Sequence, residues 1–205
     1  KGFRGGERQT LLLVEELSKS DLTQKLFVRK NSELGKRCIN IKNLQIVEIS
    51  KPYMFHLSKL KDSSLIHAHE AKAAQIAFAT YLLYKIPYII TRRVDIGIKN
   101  NFLNRAIYEK ASRVVSLSNA IKNRVLKLSQ KAKTIVIPDA ITTFFPDNKN
   151  IAKLRERFDG KFIITNVAAL EEAKGQHYII EVAKKLLQID KNIHFLLLGS
   201  GKDEA

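Results

Sequence analysis

The sequence predicts a doubly wound α/β fold built on parallel sheets, and three observations lead to this prediction. Short apolar runs alternate with stretches of helical periodicity along nearly all of the 205 residues. Several of these runs end abruptly in polar side chains, as strands do where they open onto a helix start. The apolar fraction of 45% is sufficient for a substantial core.

The elements of the first part begin with a helix ending near residue 19, where leucines and a valine recur at helical spacing. Strands are then predicted at 25–29, 45–49, 65–66, 87–91, 113–117 and 134–137. Helical segments are predicted at 32–39, 53–61, 70–83, 100–111 and 119–128. This strict alternation is typical of a parallel sheet with crossover helices.

A change of pattern after Pro138 predicts two domains. Residues 141–150 lack periodicity and contain a Pro-Asp-Asn turn signal, which indicates a linker between a first domain, 1–140, and a second, 151–205. The second begins with a helix at 151–158, a strand at 162–167, a helix at 176–187 and a strand at 194–198. Two strands bury little core, so we expect a truncated domain. We likewise expect that a first strand, which normally precedes a glycine turn such as that at 5–6, is missing.

The positive charge lies almost entirely in the first part of the chain. Residues 1–150 contain 27 Lys and Arg against 12 Asp and Glu, whereas residues 151–205 contain 9 against 8. Such a field favours anionic partners: nucleic acid, anionic lipid headgroups or phosphorylated glycans. Nucleic acid is the less expected of these because interleaved aromatic motifs, zinc fingers and helix-turn-helix patterns are missing. Surface lysines that only confer solubility remain the alternative.

The single cysteine, Cys38, excludes an internal disulfide framework and any cysteine-based zinc site, and it favours a reducing compartment. No apolar run approaches the ~20 residues of a membrane-spanning helix. We therefore expect a cytoplasmic protein, with peripheral contact to the inner face of an anionic membrane as an option that the charge allows.

Three polar groups are expected at one edge of the first sheet, because ligands bind at the carboxyl ends of parallel strands. The run IHAHE (66–70) places His69 and Glu70 just after a strand. Arg92 and Arg93 end the next strand, where two guanidinium groups suit a phosphate or carboxylate and Asp95 could orient one of them. The turn containing Gly5 and Gly6 feeds a helix, and its amides could approach a phosphate closely. For each group a purely structural role is the alternative.

Six phrases together resemble family 4, or group 1, of the retaining GT-B glycosyltransferases. They are GGER (5–8), IHAHE (66–70), VVSLSN (114–119), VIPDAI with FP (136–146), VAALEEAKG (167–175) and LLLGSG (196–201). Each phrase is weak alone, but their order and separations fit the family along nearly the whole chain. The resemblance implies two Rossmann-like domains, of which the first binds the acceptor and the second the nucleotide sugar, with the reaction in the cleft between them.

The same resemblance implies roles for individual residues. His69 corresponds to the family's catalytic-site histidine, whereas His67 is expected to be its buried companion. Donor binding falls to Gly5, Gly6, Lys174, Gly199 and Gly201. Acceptor binding is expected of Arg92, Arg93 and Glu70, on the ground of their charge and their place at the same sheet edge and not of the resemblance.

Two departures from the family's pattern qualify this assignment. Ala169 occupies the position of an arginine that usually joins Lys174 at the donor phosphates, and Arg93 replaces a histidine. The E-x7-E segment that recognises the donor would follow Ala205, so the chain alone is expected to be inactive.

The implied activity is transfer of a sugar, with retention, from a nucleotide sugar to an anionic glycan or lipid-linked acceptor, as in lipopolysaccharide synthesis. No metal or other cofactor is expected, in line with the lack of an Asp-x-Asp pair. Two other classes stay open: a basic nucleic-acid-binding domain, and a GT-B-like sugar-nucleotide epimerase. An epimerase needs acidic catalytic residues, for which Glu70 is the obvious candidate.

Overall fold

A computed structural model describes residues 3–141 and 145–201 of the chain. The chain divides into two compact units, and the boundary lies after Ile141. Each unit is an α/β arrangement, and every strand pair among the described residues is parallel.

Unit 1 alternates helices and strands from its first described turn onward. Its elements are α1 (Gly5–Leu17), β1 (Gln24–Arg29), α2 (Glu33–Arg37), β2 (Leu44–Ile49), a 3-10 helix (Tyr53–Leu60), β3 (Ile66–Ala68), α3 (Ala71–Tyr84), β4 (Tyr88–Arg92), α4 (Phe102–Lys110), β5 (Arg113–Ser116), α5 (Asn119–Leu128) and β6 (Thr134–Val136). Strands β1 and β2 form one parallel pair, and a second parallel sheet has the order β3-β4-β5-β6.

Side-chain caps set the start of three helices in unit 1. The side chains of Ser32, Asn101 and Ser118 each accept a hydrogen bond from the backbone amide three residues later. Such caps satisfy amides that have no partner within the helix and contribute roughly 1 kcal/mol each. The short polar residues that interrupt the apolar pattern therefore fix where α2, α4 and α5 begin.

The core of unit 1 lies around the four-stranded sheet. Tyr88, Ile90 and Val114 on β4 and β5 are almost fully buried, and they pack with small residues of α3 such as Ala77. Alanines on α3 allow the helix to lie close to the sheet. The hydroxyl of the buried Tyr88 donates a hydrogen bond of 2.5 Å to the carbonyl of Ile107, which leaves its one polar atom satisfied.

The described part of unit 2, residues 145–201, contains two strands and three helical segments. They are α6 (Asn148–Arg157), β7 (Phe162–Val167), a 3-10 helix (Glu172–Lys174), α7 (Gln176–Ile189) and β8 (Ile193–Leu198), with β7 and β8 paired in parallel. Large apolar side chains remain exposed on both strands, with Phe162 66% and Val167 76% accessible on β7 and Leu198 49% accessible on β8.

The structure differs from the sequence-based expectations in details of three elements. Residues 53–60 form a 3-10 helix, and α6 begins at Asn148, inside the predicted linker, because the Asp147 side chain accepts from the amide of Lys149. Strand β3 continues to Ala68, so His67 lies within it and His69 follows directly.

Candidate functional site

The carboxyl ends of β3, β4 and β6 bring polar side chains together in unit 1. His67 lies on β3 and His69 just beyond its end, Arg93 follows β4, and Asp139 lies three residues after β6. Because the strands are parallel, all these ends meet at the same edge of the sheet. The grouping of His69 with Arg93 is the arrangement that the sequence predicts.

The two histidines lie against each other. Their ring centroids are 4.1 Å apart with the planes tilted by 36°. The Nε2 atom of His67 is 2.7 Å from the Oγ1 of Thr91 on the neighbouring strand, and both side chains are largely enclosed. His67 is thereby anchored, which leaves His69 as the histidine nearer the end of the strand.

Arg93 connects His69 to Asp139. Its Nη1 donates a hydrogen bond of 3.4 Å to the Nδ1 of His69, and its Nε lies 3.5 Å from an oxygen of Asp139. A guanidinium group can only donate, so Nδ1 of His69 must be the acceptor and the ring proton must sit on Nε2. The buried Nε of Arg93 has no hydrogen bond of good geometry.

Burial and charge keep both histidines neutral at physiological pH. Burial, and then the neighbouring His67 and Arg93, lower the pKa of His69 to about 3. Burial, and then Arg93, lower the pKa of His67 to about 4. The pKa of Arg93 is itself lowered by burial, which the nearby Asp139 carboxylate opposes. The site therefore holds two neutral imidazoles beside the ion pair of Arg93 and Asp139.

The glycine turn that begins α1 lies beside Arg93. A side-chain Cβ at Gly6 would come within 3.7 Å of the Cδ of Arg93, whereas a Cβ at Gly5 would meet nothing within 4 Å. Gln9 ties this helix to the segment after β6: its amide nitrogen donates to the carbonyl of Ala140 at 2.8 Å, and its oxygen accepts from the Ala140 amide at 3.1 Å.

Two of the predicted acceptor-binding residues, Arg92 and Glu70, lie away from the contact between His69 and Arg93. Arg92 points away from Arg93, because successive side chains of an extended segment alternate in direction, and its guanidinium contacts the Tyr108 hydroxyl and the Ile96 carbonyl. Glu70 lies 3.5 Å from Arg29 in an exposed ion pair. The expectation that Asp95 orients one of the paired arginines is wrong, since it pairs with Arg124 at 3.0 Å.

The donor-side residues of unit 2 lie on its turns. Lys174 ends the second 3-10 helix and is exposed. A Cβ at Gly199 would lie 1.8 Å from the carbonyl oxygen of Ala168, and a Cβ at Gly201 would lie 2.0 Å from that of Leu170. Close backbone approach alone therefore requires glycine at both positions.

Sequence reasoning missed Asp139, Gln9 and Thr91 as members of the site. Asp139 and Thr91 stand at strand ends of the same sheet as His69, and this shared position is the signal that could have found them. Gln9 carries no such signal because its partner lies 131 residues away. Within 3–141 and 145–201 no group of three or more His, Cys, Asp or Glu could hold a metal ion.

Comparison with known proteins gives a match in structure but none in sequence. No protein-family model matches the chain, and no curated protein is significantly similar to it. Three crystal structures of Anabaena Alr3699/HepE are similar in fold: the complex with UDP and glucose (TM-score 0.77, 15% identity, 98% of this chain), the complex with UDP (0.76, 16%, 98%) and the complex with UDP-glucose (0.75, 16%, 96%).

These matches confirm the predicted Rossmann-like α/β fold of GT-B type. The chain spans 57–59% of the length of the HepE chains. None of the described helices is both long enough and apolar enough to cross a membrane.

Proposed function

We propose that this chain is part of a glycosyltransferase that moves a sugar from a nucleotide-sugar donor to an anionic glycan or lipid-linked acceptor. The observation that carries the proposal is the contact between His69 and Arg93, beside the glycine turn at Gly6. A fold shared with a protein that binds UDP and UDP-glucose supports the same reading.

His69 is the proposed catalytic-site residue. Its neutral ring presents an Nε2–H donor, because Nδ1 is occupied by Arg93. Such a donor suits a sugar hydroxyl or an oxygen that gains negative charge as the glycosidic bond breaks. A pKa of about 3 is too low for a general acid near neutral pH, so we assign His69 to hydrogen bonding rather than to proton transfer.

The donor diphosphate is assigned to the glycine turn and to Lys174. The amides at the start of α1 carry the partial positive charge of a helix N-terminus, and an ammonium group at Lys174 would offset charge on the leaving diphosphate. Gly5, Gly199 and Gly201 are proposed as further donor-binding residues. We further propose transfer with retention and without a metal, as in family 4 of the GT-B enzymes.

The acceptor is proposed to be anionic. Arg93 faces His69 and lies 3.5 Å from Asp139, and its Nε lacks a hydrogen bond of good geometry. A phosphate or carboxylate of the acceptor is proposed to bind the remaining N–H donors of its guanidinium group. Arg92 and Glu70 are proposed to contact other parts of the acceptor. The excess of basic residues in 1–150 would favour a phosphorylated glycan, such as one in lipopolysaccharide synthesis, and peripheral contact with an anionic membrane surface.

Calorimetric titration of UDP-glucose into the full-length protein tests the donor assignment. We expect saturable binding, and about tenfold weaker binding for Lys174→Gln because one charged phosphate contact is lost. Lys161→Gln, which removes another exposed lysine of unit 2, should bind as the wild type does. If the wild type binds neither UDP-glucose nor UDP, the proposed donor class is wrong.

The second candidate is a basic nucleic-acid-binding domain, which the charge of residues 1–150 favours. Such a domain would bind oligonucleotides with an affinity that falls steeply as salt rises, because bound counterions are released. Steep salt dependence together with no affinity for nucleotide sugars would favour this candidate over the transferase.

A further inference from the structure

A cavity of about 250 Å³ lies in unit 1, and neither His69 nor Arg93 belongs to its lining. It is bounded by α3, α4 and the loop that follows β4. Its lining consists of Ala71, Ala74, Gln75, Arg92, Gly97, Ile98, Lys99, Asn104, Ile107 and Tyr108. The volume is close to the lower end of small-molecule pockets, which begin at about 300 Å³.

Arg92 at this cavity is a partly buried cation with an incomplete set of partners. Its Nη1 donates to the Tyr108 hydroxyl at 3.3 Å and its Nη2 to the carbonyl of Ile96, but its buried Nε has no hydrogen-bond partner. No carboxylate within residues 3–141 and 145–201 forms an ion pair with Arg92, and the nearby Asp95 already pairs with Arg124. A partly buried guanidinium group without a counter-charge is available to an anionic ligand, so an anion in the cavity would supply the missing partner.

Other groups of the cavity suit the same kind of ligand. Lys99 is a second cation in the lining. Its backbone carbonyl accepts a hydrogen bond of 2.7 Å from the Asn104 side chain, and this bond holds the loop in place. Tyr108 accepts from Arg92 and so can turn its own O–H toward a ligand oxygen. Two cations and a hydroxyl donor match the charge and the oxygens of a phosphate dianion better than those of a carboxylate.

We propose that this cavity binds the phosphate group of a phosphate monoester, with Arg92 and Lys99 as its charge partners. The identification of that monoester as the acceptor rests on the proposed function. The apolar wall of Ala71, Ala74 and Ile107 then contacts the organic part beside the phosphate. Arg92 and Arg93 are consecutive residues at the end of β4. The end of this one strand therefore supplies both the residue that binds the acceptor phosphate, Arg92, and the residue that contacts His69, Arg93.

Titration with inorganic phosphate tests the site itself. We expect saturable binding to the full-length wild-type protein and about tenfold weaker binding for Arg92→Gln. Lys99→Gln should weaken binding in the same direction, and this side chain is exposed, so the variant should fold normally. Lys110→Gln removes an equal charge from the end of α4 outside the cavity and should bind phosphate like the wild type. Absence of saturable binding, or equal weakening in all three variants, would overturn the proposal.

A transfer assay then tests the link to the acceptor. The same glycan is offered with and without its phosphate group, and UDP-glucose is the donor. Arg92→Gln should raise the KM about tenfold for the phosphorylated glycan only. An unchanged KM for that glycan would overturn the assignment to the acceptor. If the wild type transfers to neither glycan, the proposed function fails, while the phosphate titration still decides whether the cavity is an anion site.

Discussion

The Nη1 of Arg93 donates a hydrogen bond of 3.4 Å to the Nδ1 of His69. This contact joins two residues that come from adjacent strands and lie 24 positions apart in sequence. It assigns the ring proton of His69 to Nε2, and it places a cation beside an imidazole that burial already keeps neutral.

Nuclear magnetic resonance of the histidine rings should show His69 neutral down to acidic pH, with an apparent pKa of about 3. In Arg93→Gln the pKa of His69 should rise, because one of the groups that lower it is gone. It should stay below the ordinary value since burial, the main cause, persists. A His69 resonance that titrates near pH 6.5 in the wild type would contradict the geometry of the site.

The stability of unit 1 should fall as the pH falls below 7. His67 and His69 have folded-state pKa values of about 4 and about 3, both below the unfolded value of about 6.5. The unfolded chain therefore binds more protons in this window, and stability is lost by up to about 1.4 kcal/mol per pH unit for each histidine. In denaturant unfolding, the free energy of unfolding of His69→Gln should depend less steeply on pH than that of the wild type.

The control for this pH dependence is His177→Gln, which changes an exposed histidine of unit 2. It should keep the wild-type slope between pH 7 and about 4 in the unfolding of unit 1. Equal slopes for wild type and His69→Gln would mean that His69 is not held neutral by the fold.

The glycines after β8 should be intolerant of any side chain. Gly199→Ala and Gly201→Ala place a Cβ within 2.0 Å of a backbone carbonyl oxygen, so the turn must move. Each should destabilise unit 2 by about 2 kcal/mol or more in thermal unfolding. Ser200→Ala, which lies between them and is exposed, should be nearly neutral. Comparable stability of all three variants would show that no close approach exists here.

Tyr88→Phe should destabilise unit 1 by about 1–2 kcal/mol, because it leaves the buried carbonyl of Ile107 without its hydrogen-bond donor. Tyr81→Phe is a suitable control, since Tyr81 is only partly buried although its ring lies 5.9 Å from that of Tyr88. Chemical denaturation of the two variants measures the difference. A loss that is no greater for Tyr88→Phe than for Tyr81→Phe would contradict the assigned hydrogen bond.

The order of helices and strands was predictable from periodicity because nearly every strand is a compact apolar run. Phe162–Val167, for example, coincides with β7. The ends depended on polar contacts that the pattern does not encode, such as the Asp147 cap that starts α6 early. That His69 and Arg93 meet followed from the rule that parallel strand ends share one edge.

The separation of Arg92 from Arg93 depends on the direction in which each side chain leaves the strand end. The hydroxyl of Tyr108 on α4 accepts a hydrogen bond from Arg92. Neither the position of Tyr108 nor the cavity beside it can be inferred from sequence spacing. The ion pair of Asp95 with Arg124 could not be predicted either, because its two side chains lie 29 residues apart in sequence. Local patterns predicted the elements, whereas contacts between distant side chains required the fold.

The proposed glycosyltransferase activity, with His69 at its catalytic site, is tested by measuring transfer of labelled glucose from UDP-glucose to a phosphorylated glycan by the full-length protein. We expect transfer by the wild type and by Lys110→Gln, and a loss of about a hundredfold or more in His69→Ala, because a donor to the developing charge is removed. Wild-type transfer that His69→Ala leaves unchanged would contradict the role of His69. Absence of transfer from any nucleotide sugar, combined with steeply salt-dependent oligonucleotide binding, would contradict the glycosyltransferase proposal as a whole.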